Sequence, residues 1–249
     1  MTTNNILVLT STIAPQSGVH ALARANPEDR LADYLKALDF YLPLLAAGIF
    51  HRAAYIDNSG HSLDAIAEKA EALGVADRLE LVSYASDIPP NYSRYYLEAN
   101  LLLEGFRRSK TLAEAGDSAL WKVTGRYIVK NLARIIATQP DNFDLYLNLR
   151  NLPYRVVDFY LIGAKPSALK ALLSYELESY RSKEDGEVLL RQKIDSGAFD
   201  QLKISPRMRA TPQLSGVRGF DSAVYDSPQN ALKHKLRSAA NMIAPWLWI

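Results

Sequence analysis

In the stretch ALWKVTGRYIVKNL, residues 119–132, an apolar strand-like run gives way to a helix-like pattern. Lys122, Thr124, Gly125, Arg126 and Tyr127 crowd polar chemistry into the junction. Successive strand side chains alternate faces, so Lys122 and Thr124 share one face, opposite Trp121 and Val123. Gly125 permits close backbone approach, and Arg126 offers a planar fork of donors matched to phosphate oxygens. The chemistry this spacing suits is the holding of an anion; the same residues also suit an ordinary turn at a strand end.

Four acidic positions stand out beside it. Asp57 follows the apolar run AAYI (53–56), and Thr10 and Ser11 hold the matching place after ILVLT (6–10). Ligands of open α/β sheets gather at the carboxyl ends of strands, although Asp57-Asn58 would make a turn in any case. Asp158 interrupts VVDFYLIG (156–163). An unpaired carboxylate in an apolar interior is costly, so Asp158 needs a basic partner such as Arg155, a metal ion or an opening to a cleft. Glu98 has Leu101 and Leu102 at i+3 and i+4, which turns it toward the protein, into a site or a buried ion pair. Glu187 opens a helix after Asp185-Gly186, where the helix dipole favours an acid whatever its role. His20, His51, His61 and His234 show no metal-ligand spacing, and no Ser-His-Asp arrangement stands out.

The elements that must position these groups alternate along the chain. ILVLT, AAYI and RLELVSY (78–84) are short apolar strands. Between the first two, Asn26-Pro27-Glu28-Asp29 starts a helix through ADYLKALDFYLPLLAAG that Pro43 is placed to kink. Ser62 caps a second helix, whose Leu63, Ile66, Ala70 and Leu73 form one apolar stripe. RYYLEANLLLEGFRRS reads as a third helix, FDLYLNL (143–149) and VVDFYLIG as strands, and Pro166–Tyr175 and Glu187–Ile194 as helices. Residues 205–228 are loop-rich, and QNALKHKLRSAANM forms a basic last helix before IAPWLWI. The β-α-β-α-β opening implies an α/β fold with a mostly parallel, Rossmann-like central sheet flanked by helices. Neither G-x-G-x-x-G nor G-x-x-x-x-G-K-[ST] occurs, which disfavours dinucleotide and P-loop chemistry.

With 249 residues, 48% of them hydrophobic, and no clean linker, the chain reads as a single domain, 1–249. Within it, residues 1–118 make a Rossmann-like, nucleotide-binding half, 119–228 a second half, and 229–249 a basic helix and tail. A net charge of +2 predicts no nucleic-acid partner. The absence of cysteine removes disulfides and thiolate chemistry. The first residues lack the basic start and the roughly 7- to 15-residue apolar core of a secretory signal. No run approaches the roughly 20 apolar residues of a membrane span. The expectation is a cytoplasmic protein, at most peripheral to the inner face of the cytoplasmic membrane.

Taken together, ILVLTST, Arg30 in EDRLADYLKALDFYL, IDNSG, YYLEANLLLEG, WKVTGRYIVKN, VVDFYLI, DGEVLLRQKI and LSGVRGFDSAVY resemble bacterial glycosyltransferases of capsule and O-antigen synthesis, which have a GT-A-like fold. The Lys-x-Thr-Gly-Arg-Tyr segment is the most specific part. The resemblance implies transfer of a sugar from a nucleotide diphosphosugar, a UDP-sugar by preference, to a lipid-linked saccharide acceptor, with inversion. It places Thr10, Ser11, Arg30, Asp57, Glu98, Lys122, Thr124, Gly125, Arg126 and Tyr127 at the donor, and Gly216, Gly219 and Tyr225 at the acceptor. It makes the second half, 119–228, a donor-sugar and acceptor half. It makes Glu187 the first candidate for catalytic base and Asp158 the second. Many relatives carry an Asp-x-Asp metal motif where WKVTGRY stands, and this chain has none. Arg126, helped by Lys122, is therefore expected to take over part of the charge neutralisation otherwise given to Mg²⁺ or Mn²⁺. The chain also departs from its relatives at Asp158-Phe159-Tyr160, where Asp-Ser-Arg or Asp-Thr-Arg is common, and at Leu97-Glu98, where Gly-Glu is common.

Two other readings fit the same residues: a nucleotidyltransferase of sugar-nucleotide metabolism, and a non-catalytic nucleotide- or saccharide-binding module. At the C-terminus, Lys233, Lys235 and Arg237 precede Trp246 and Trp248. That pattern suits either docking on an anionic membrane or a surface helix whose tail packs on the domain.

Overall fold

The structure, a computed structural model, describes residues 4–248 apart from 20, 21, 183, 184 and 220, so His20 and Phe220 lie outside the described residues. Its strands are β1 (Asn5–Ser11), β2 (Arg52–Asp57), β3 (Leu79–Ser83), β4 (Ala119–Thr124), β5 (Ile128–Val129), β6 (Leu145–Tyr146), β7 (Leu149–Arg150), β8 (Val156–Val157), β9 (Leu161–Ala164), β10 (Ile204–Ser205) and β11 (Leu214–Ser215). The helices are α1 (Pro27–Ala46), α2 (Asp64–Ala72), α3 (Arg94–Arg108), α4 (Lys110–Ala113), α5 (Leu132–Ala137), α6 (Pro166–Ser174), α7 (Gly186–Asp195) and α8 (Pro228–Ile243).

A seven-stranded sheet in the order β10-β6-β9-β4-β1-β2-β3 forms the centre. β4, β1, β2 and β3 run parallel, and β9 is antiparallel to both β4 and β6. The two-residue period of the strands splits the core into two. Ile6, Val8, Ala54, Ile56 and Leu120 face α3, α6 and α7, while Leu7, Leu9, Ala53, Tyr55, Trp121 and Val123 face α1, α2 and α5. The expected α/β architecture, a mostly parallel sheet between helices in a single domain, is what the chain adopts.

The start of α1 follows its sequence signal: the Asn26 side chain accepts from the backbone N–H groups of Glu28 and Asp29 at 2.8 and 3.2 Å, with Pro27 in the first turn. Ser62 accepts from the Asp64 N–H at 3.1 Å, but Leu73, expected in the apolar stripe of α2, is 42% exposed.

Three expected elements differ. WKVTGRY does not pass from strand to helix: β4 ends in a turn in which the Tyr127 N–H donates to Thr124 O, and β5 intervenes before α5. FDLYLNL is two short strands in different sheets, β6 and β7. VVDFYLIG is also broken, because β8 pairs with β7 in a small hairpin while β9 joins the main sheet. Asp158, Phe159 and Tyr160 lie in the bend between them, so Asp158 turns toward an opening and not into a strand interior.

Candidate active site

A cleft of about 1060 Å³ opens where β1, β2 and β4 end. The strand-end residues Thr10, Ser11, Asn58, Ser59, Thr124 and Arg126 line it together with Glu98, Asp158, Glu187 and Tyr225. The parallel strands thus deliver the strand-end residues to one place, as such sheets do.

Asp57 itself stays behind the wall. It is fully buried, and its carboxylate accepts from Ser11 Oγ (2.8 Å), Ile13 N (2.9 Å), Ser59 N (2.8 Å) and the Ser59 hydroxyl. It locks the loops after β1 and β2 together, and at the cleft Thr12 Oγ1 donates to Asn58 Oδ1 at 2.6 Å. Arg30 is buried too: it donates to Thr12 O (2.6 Å), Arg24 O (3.0 Å) and Tyr34 Oη (3.2 Å), and so fixes the loop after β1. Asp57, expected in direct contact with the donor, is outside the cleft lining and shapes the loops that form the wall, whereas Arg30 fixes the loop after β1 and also borders the cleft.

Lys122 differs from expectation in the same way. It is fully buried, with Nζ 2.6 Å from Glu98 Oε1, 3.2 Å from Thr124 Oγ1 and bonded to Phe159 O. An ammonium has three N–H donors, and these three acceptors use them all, leaving none for a diphosphate. Glu98 Oε1 also accepts from Thr10 (3.0 Å) and Thr124 (2.9 Å), while among the described residues no donor reaches its other oxygen, on the cleft side. Burial works to raise the Glu98 pKa, but Lys122 and the two hydroxyls together hold it below the usual carboxylate range. The cleft therefore carries a fixed, ionised acceptor suited to a sugar or ribose hydroxyl.

Arg126 does face the cleft. Gly125 lets the turn pass close to β1: its N–H donates to Thr10 O at 2.9 Å, and a Cβ would stand 2.7 Å from that oxygen. The guanidinium lies over the Tyr127 ring at 5.1 Å and donates to its hydroxyl at 3.3 Å, and the buried Nε has no partner. Among the described residues no carboxylate ion-pairs with it. A buried, unsatisfied donor on a cation is costly unless a ligand completes it.

Gly216 and Gly219, expected at the acceptor, instead make room for Arg126. β11 pairs antiparallel with β5 and brings the glycine loop alongside. A Cβ on Gly219 would stand 2.5 Å from Arg126 Nη2, and one on Gly216, at φ +116°, 2.8 Å from Arg126 O. Neither glycine lines the cleft; Tyr225 does, edge-on to Tyr127 with ring centres 5.4 Å apart. Asp226 fastens this loop through Lys130 (2.6 Å) and the Ser215 hydroxyl.

The last group is acidic. Asp185 caps α7 by accepting from the Glu187 N–H, and Glu187 Oε1 accepts from the Phe159 N–H at 3.0 Å. Burial first, then the neighbouring Asp158 charge, push the Glu187 carboxyl up to about 7, against the opposing pull of the Phe159 N–H. Asp158 is not a free base. It accepts from Arg150 Nε and Nη2 (2.9 and 2.8 Å), Asn148 Nδ2 (2.6 Å) and Tyr160 Oη (3.3 Å). Its partner is thus Arg150, while Arg155 pairs with Asp195 at 2.8 Å. The peptide groups of Phe159 join the two acidic centres, its N–H on Glu187 and its C=O on Lys122.

For Mg²⁺ or Mn²⁺ the donor set fits poorly. Among the described residues no group of three or more His, Asp or Glu could hold a metal ion. Glu98, Asp158 and Asp226 are each tied to a cation of the protein itself.

No family model and no curated protein matches the chain. Among solved structures, the inositol-1-phosphate CTP transferase from T. maritima matches over 97% of each chain, with a TM-score of 0.53 and 12% identity. The chain shares that protein's fold. More distant likenesses are a Desulfovibrio desulfuricans protein assigned as a nucleotide-diphospho-sugar transferase (TM-score 0.45, 10% identity, 96% of this chain and 97% of that one) and a Bacillus anthracis protein assigned as a glucose-1-phosphate thymidylyltransferase, in complex with sucrose (0.47, 6%, 94% of each). Those two are too loose to add to the fold assignment.

Sequence reasoning missed Thr12, Asn58, Asn148, Arg150 and the Phe159 backbone. Arg150 had a signal: a hairpin of FDLYLNLR against VVDFYLIG sets Arg150 opposite Val156, beside Asp158. The peptide groups of Phe159 carried none, because they are the same in any residue.

Proposed function

We propose that the protein is a glycosyltransferase that moves a sugar from a nucleotide diphosphosugar to a hydroxyl of a saccharide acceptor. The observation that carries this reading is Glu187, a cleft carboxyl held near 7 at the N-terminus of α7. A hydroxyl nucleophile needs a base that is ionised yet basic at neutral pH, and such a group supplies it. Glu187 takes the acceptor hydroxyl proton as the acceptor oxygen bonds to the anomeric carbon. The anomeric carbon–oxygen bond to the diphosphate breaks, and the nucleoside diphosphate leaves with the electron pair. Arg126, with its unpartnered Nε, meets the charge that develops there. Glu98, kept ionised by Lys122, orients donor hydroxyls.

The fold shared with a CTP transferase supports a second reading, nucleotidyl transfer to a sugar phosphate. There the attacking oxygen is already an anion, so Glu187 has no proton to take. The assay that separates them offers nucleotide sugars in one arm and nucleoside triphosphates with sugar phosphates in the other. Release of UDP or GDP is expected; pyrophosphate release would establish the second reading, and binding without turnover a non-catalytic module. Bound nucleotide sugar at 100 times its dissociation constant should stabilise the fold by roughly 2.7 kcal/mol, readable by thermal unfolding.

A further prediction concerns the anion site. Arg126→Ala is expected to weaken nucleoside diphosphate binding by about 10- to 100-fold, the worth of hydrogen bonds from a charged donor. Gly219→Ala should weaken it too, because its Cβ would displace the guanidinium. Wild-type affinity of Arg126→Ala in calorimetry would remove Arg126 from the diphosphate site.

A further inference from the structure

Helix α8 packs on the body through its polar side. Asn230 donates to Val224 O (3.1 Å), His234 meets Thr211 O (3.2 Å), and Asn241 bonds Arg207 Nε (3.2 Å) and Met208 O (3.4 Å). No residue of the helix is buried. Leu232, Leu236 and Ile243 follow helical spacing on the opposite side and, with Met242 and the following Trp246, are between 59% and 79% exposed. Such an apolar stripe, turned outward on a helix that the body already holds, asks for a partner. Of the two tryptophans, Trp248 follows the packed alternative: Arg191 lies over its ring at 5.2 Å, and its carbonyl accepts from Asn151 at 2.6 Å.

The charges beside the stripe say which partner fits. Lys233 and Lys235 flank it on its two sides, Arg237 lies on the side turned to the cleft, and from residue 227 onward the sequence has no acid. A second copy docking through this stripe would bring two basic flanks together with no acid on either helix to meet them. An anionic lipid surface meets them, takes the leucines into its acyl boundary and receives Trp246 at the headgroup level. Among the described residues no helix is long and apolar enough to cross a membrane, so any contact here is with a surface.

We infer that the outer face of α8 docks the protein on an anionic phospholipid surface. The opposite side of the same helix forms part of the cleft wall through Asn230, Lys233, His234 and Arg237, so docking would place the cleft one helix thickness from the surface. The docking is independent of which transfer the cleft performs.

The experiment is flotation of the full chain with vesicles of phosphatidylglycerol and phosphatidylcholine, and with phosphatidylcholine alone. The protein is expected to float with the anionic vesicles only, and less so in ~1 M salt, where the Debye length falls to about 3 Å. Leu232→Asp/Leu236→Asp should lower partitioning at least about tenfold, while these exposed positions leave the thermal midpoint near wild type. Each basic residue at an anionic surface is worth about fivefold, so Lys233→Gln/Lys235→Gln should lose roughly 25-fold, and this variant decides the matter should the aspartates disturb folding. Equal flotation with neutral vesicles, none with anionic ones, or wild-type flotation of the charge variant would overturn the proposal. So would a lipid-free dimer, seen by sedimentation, that Leu232→Asp dissociates.

Discussion

Glu187→Gln is expected to lower the turnover of sugar transfer by about 100- to 10,000-fold, the usual worth of a positioned general base, while donor binding stays near wild type. Glutamine keeps the shape and can still accept from the Phe159 N–H, so what is lost is the basicity. With the carboxyl pushed up to about 7, the base form is only partly present at neutral pH. The specificity constant kcat/KM should therefore climb about tenfold per pH unit below 7 and level off above it, and Glu187→Gln should flatten that limb. Asp158→Asn should move the limb to lower pH, because it removes the negative neighbour and leaves Arg150 positive beside Glu187. Wild-type turnover in Glu187→Gln would eliminate it as the base.

The same shift has a consequence for stability that turnover does not share. The folded protein holds the Glu187 proton to about 7, whereas the unfolded chain releases it near 4.5. The stabilisation of the neutral carboxyl is present below the unfolded value and is lost as pH rises through 7, where the ion must sit partly buried beside Asp158. Glu187→Gln should thus be more stable than wild type in mild alkali, by roughly 1–3 kcal/mol, and nearly equal to it below the unfolded value of 4.5. A variant that loses activity and gains stability in one pH window marks a group placed for chemistry at the expense of the fold.

How much of this could be read from the chain divides along a physical line. ILVLT, AAYI and the Asn26-Pro27 helix start were legible because their signals are local: a short continuous apolar run, a side-chain cap, a proline in the first turn. The neighbourhood of Arg126 was only half legible. Its turn lies in WKVTGRY, but its clearance comes from Gly219 on the loop after β11, and only tertiary pairing of β5 with β11 joins them. VVDFYLIG misled for a related reason. Its composition suits one buried strand, whereas the pairing of Val156–Val157 with β7 and of Leu161–Ala164 with β4 breaks it and turns Asp158 toward the cleft. Lys122 was placed on the correct face of its strand, yet whether it had a donor to spare depended on counting its partners in space.

That count sets the second large effect. If Lys122 served the diphosphate directly, Lys122→Met would weaken donor binding and leave stability nearly unchanged. With Nζ fully buried and 2.6 Å from Glu98, the expected result is a loss of about 3 kcal/mol of stability, since removal of one member strands the other charge. The low end of the usual range applies because the Glu98 side chain is 26% exposed on the cleft side. For a chain of this length that corresponds to a midpoint lower by about 6–12 °C. The pH dependence separates the two roles further. In the wild type the Glu98 pKa is depressed, so its contribution is present above the unfolded carboxylate value and fades as pH falls through the folded one. Without Lys122, burial raises that pKa, and the variant should instead lose stability as pH rises through the new value. Lys122→Met/Glu98→Gln should recover most of the loss, because a neutral amide can still accept from Thr10 and Thr124. An undiminished midpoint in Lys122→Met, with nucleotide binding lost, would return Lys122 to the diphosphate and leave Glu98 to be explained without it.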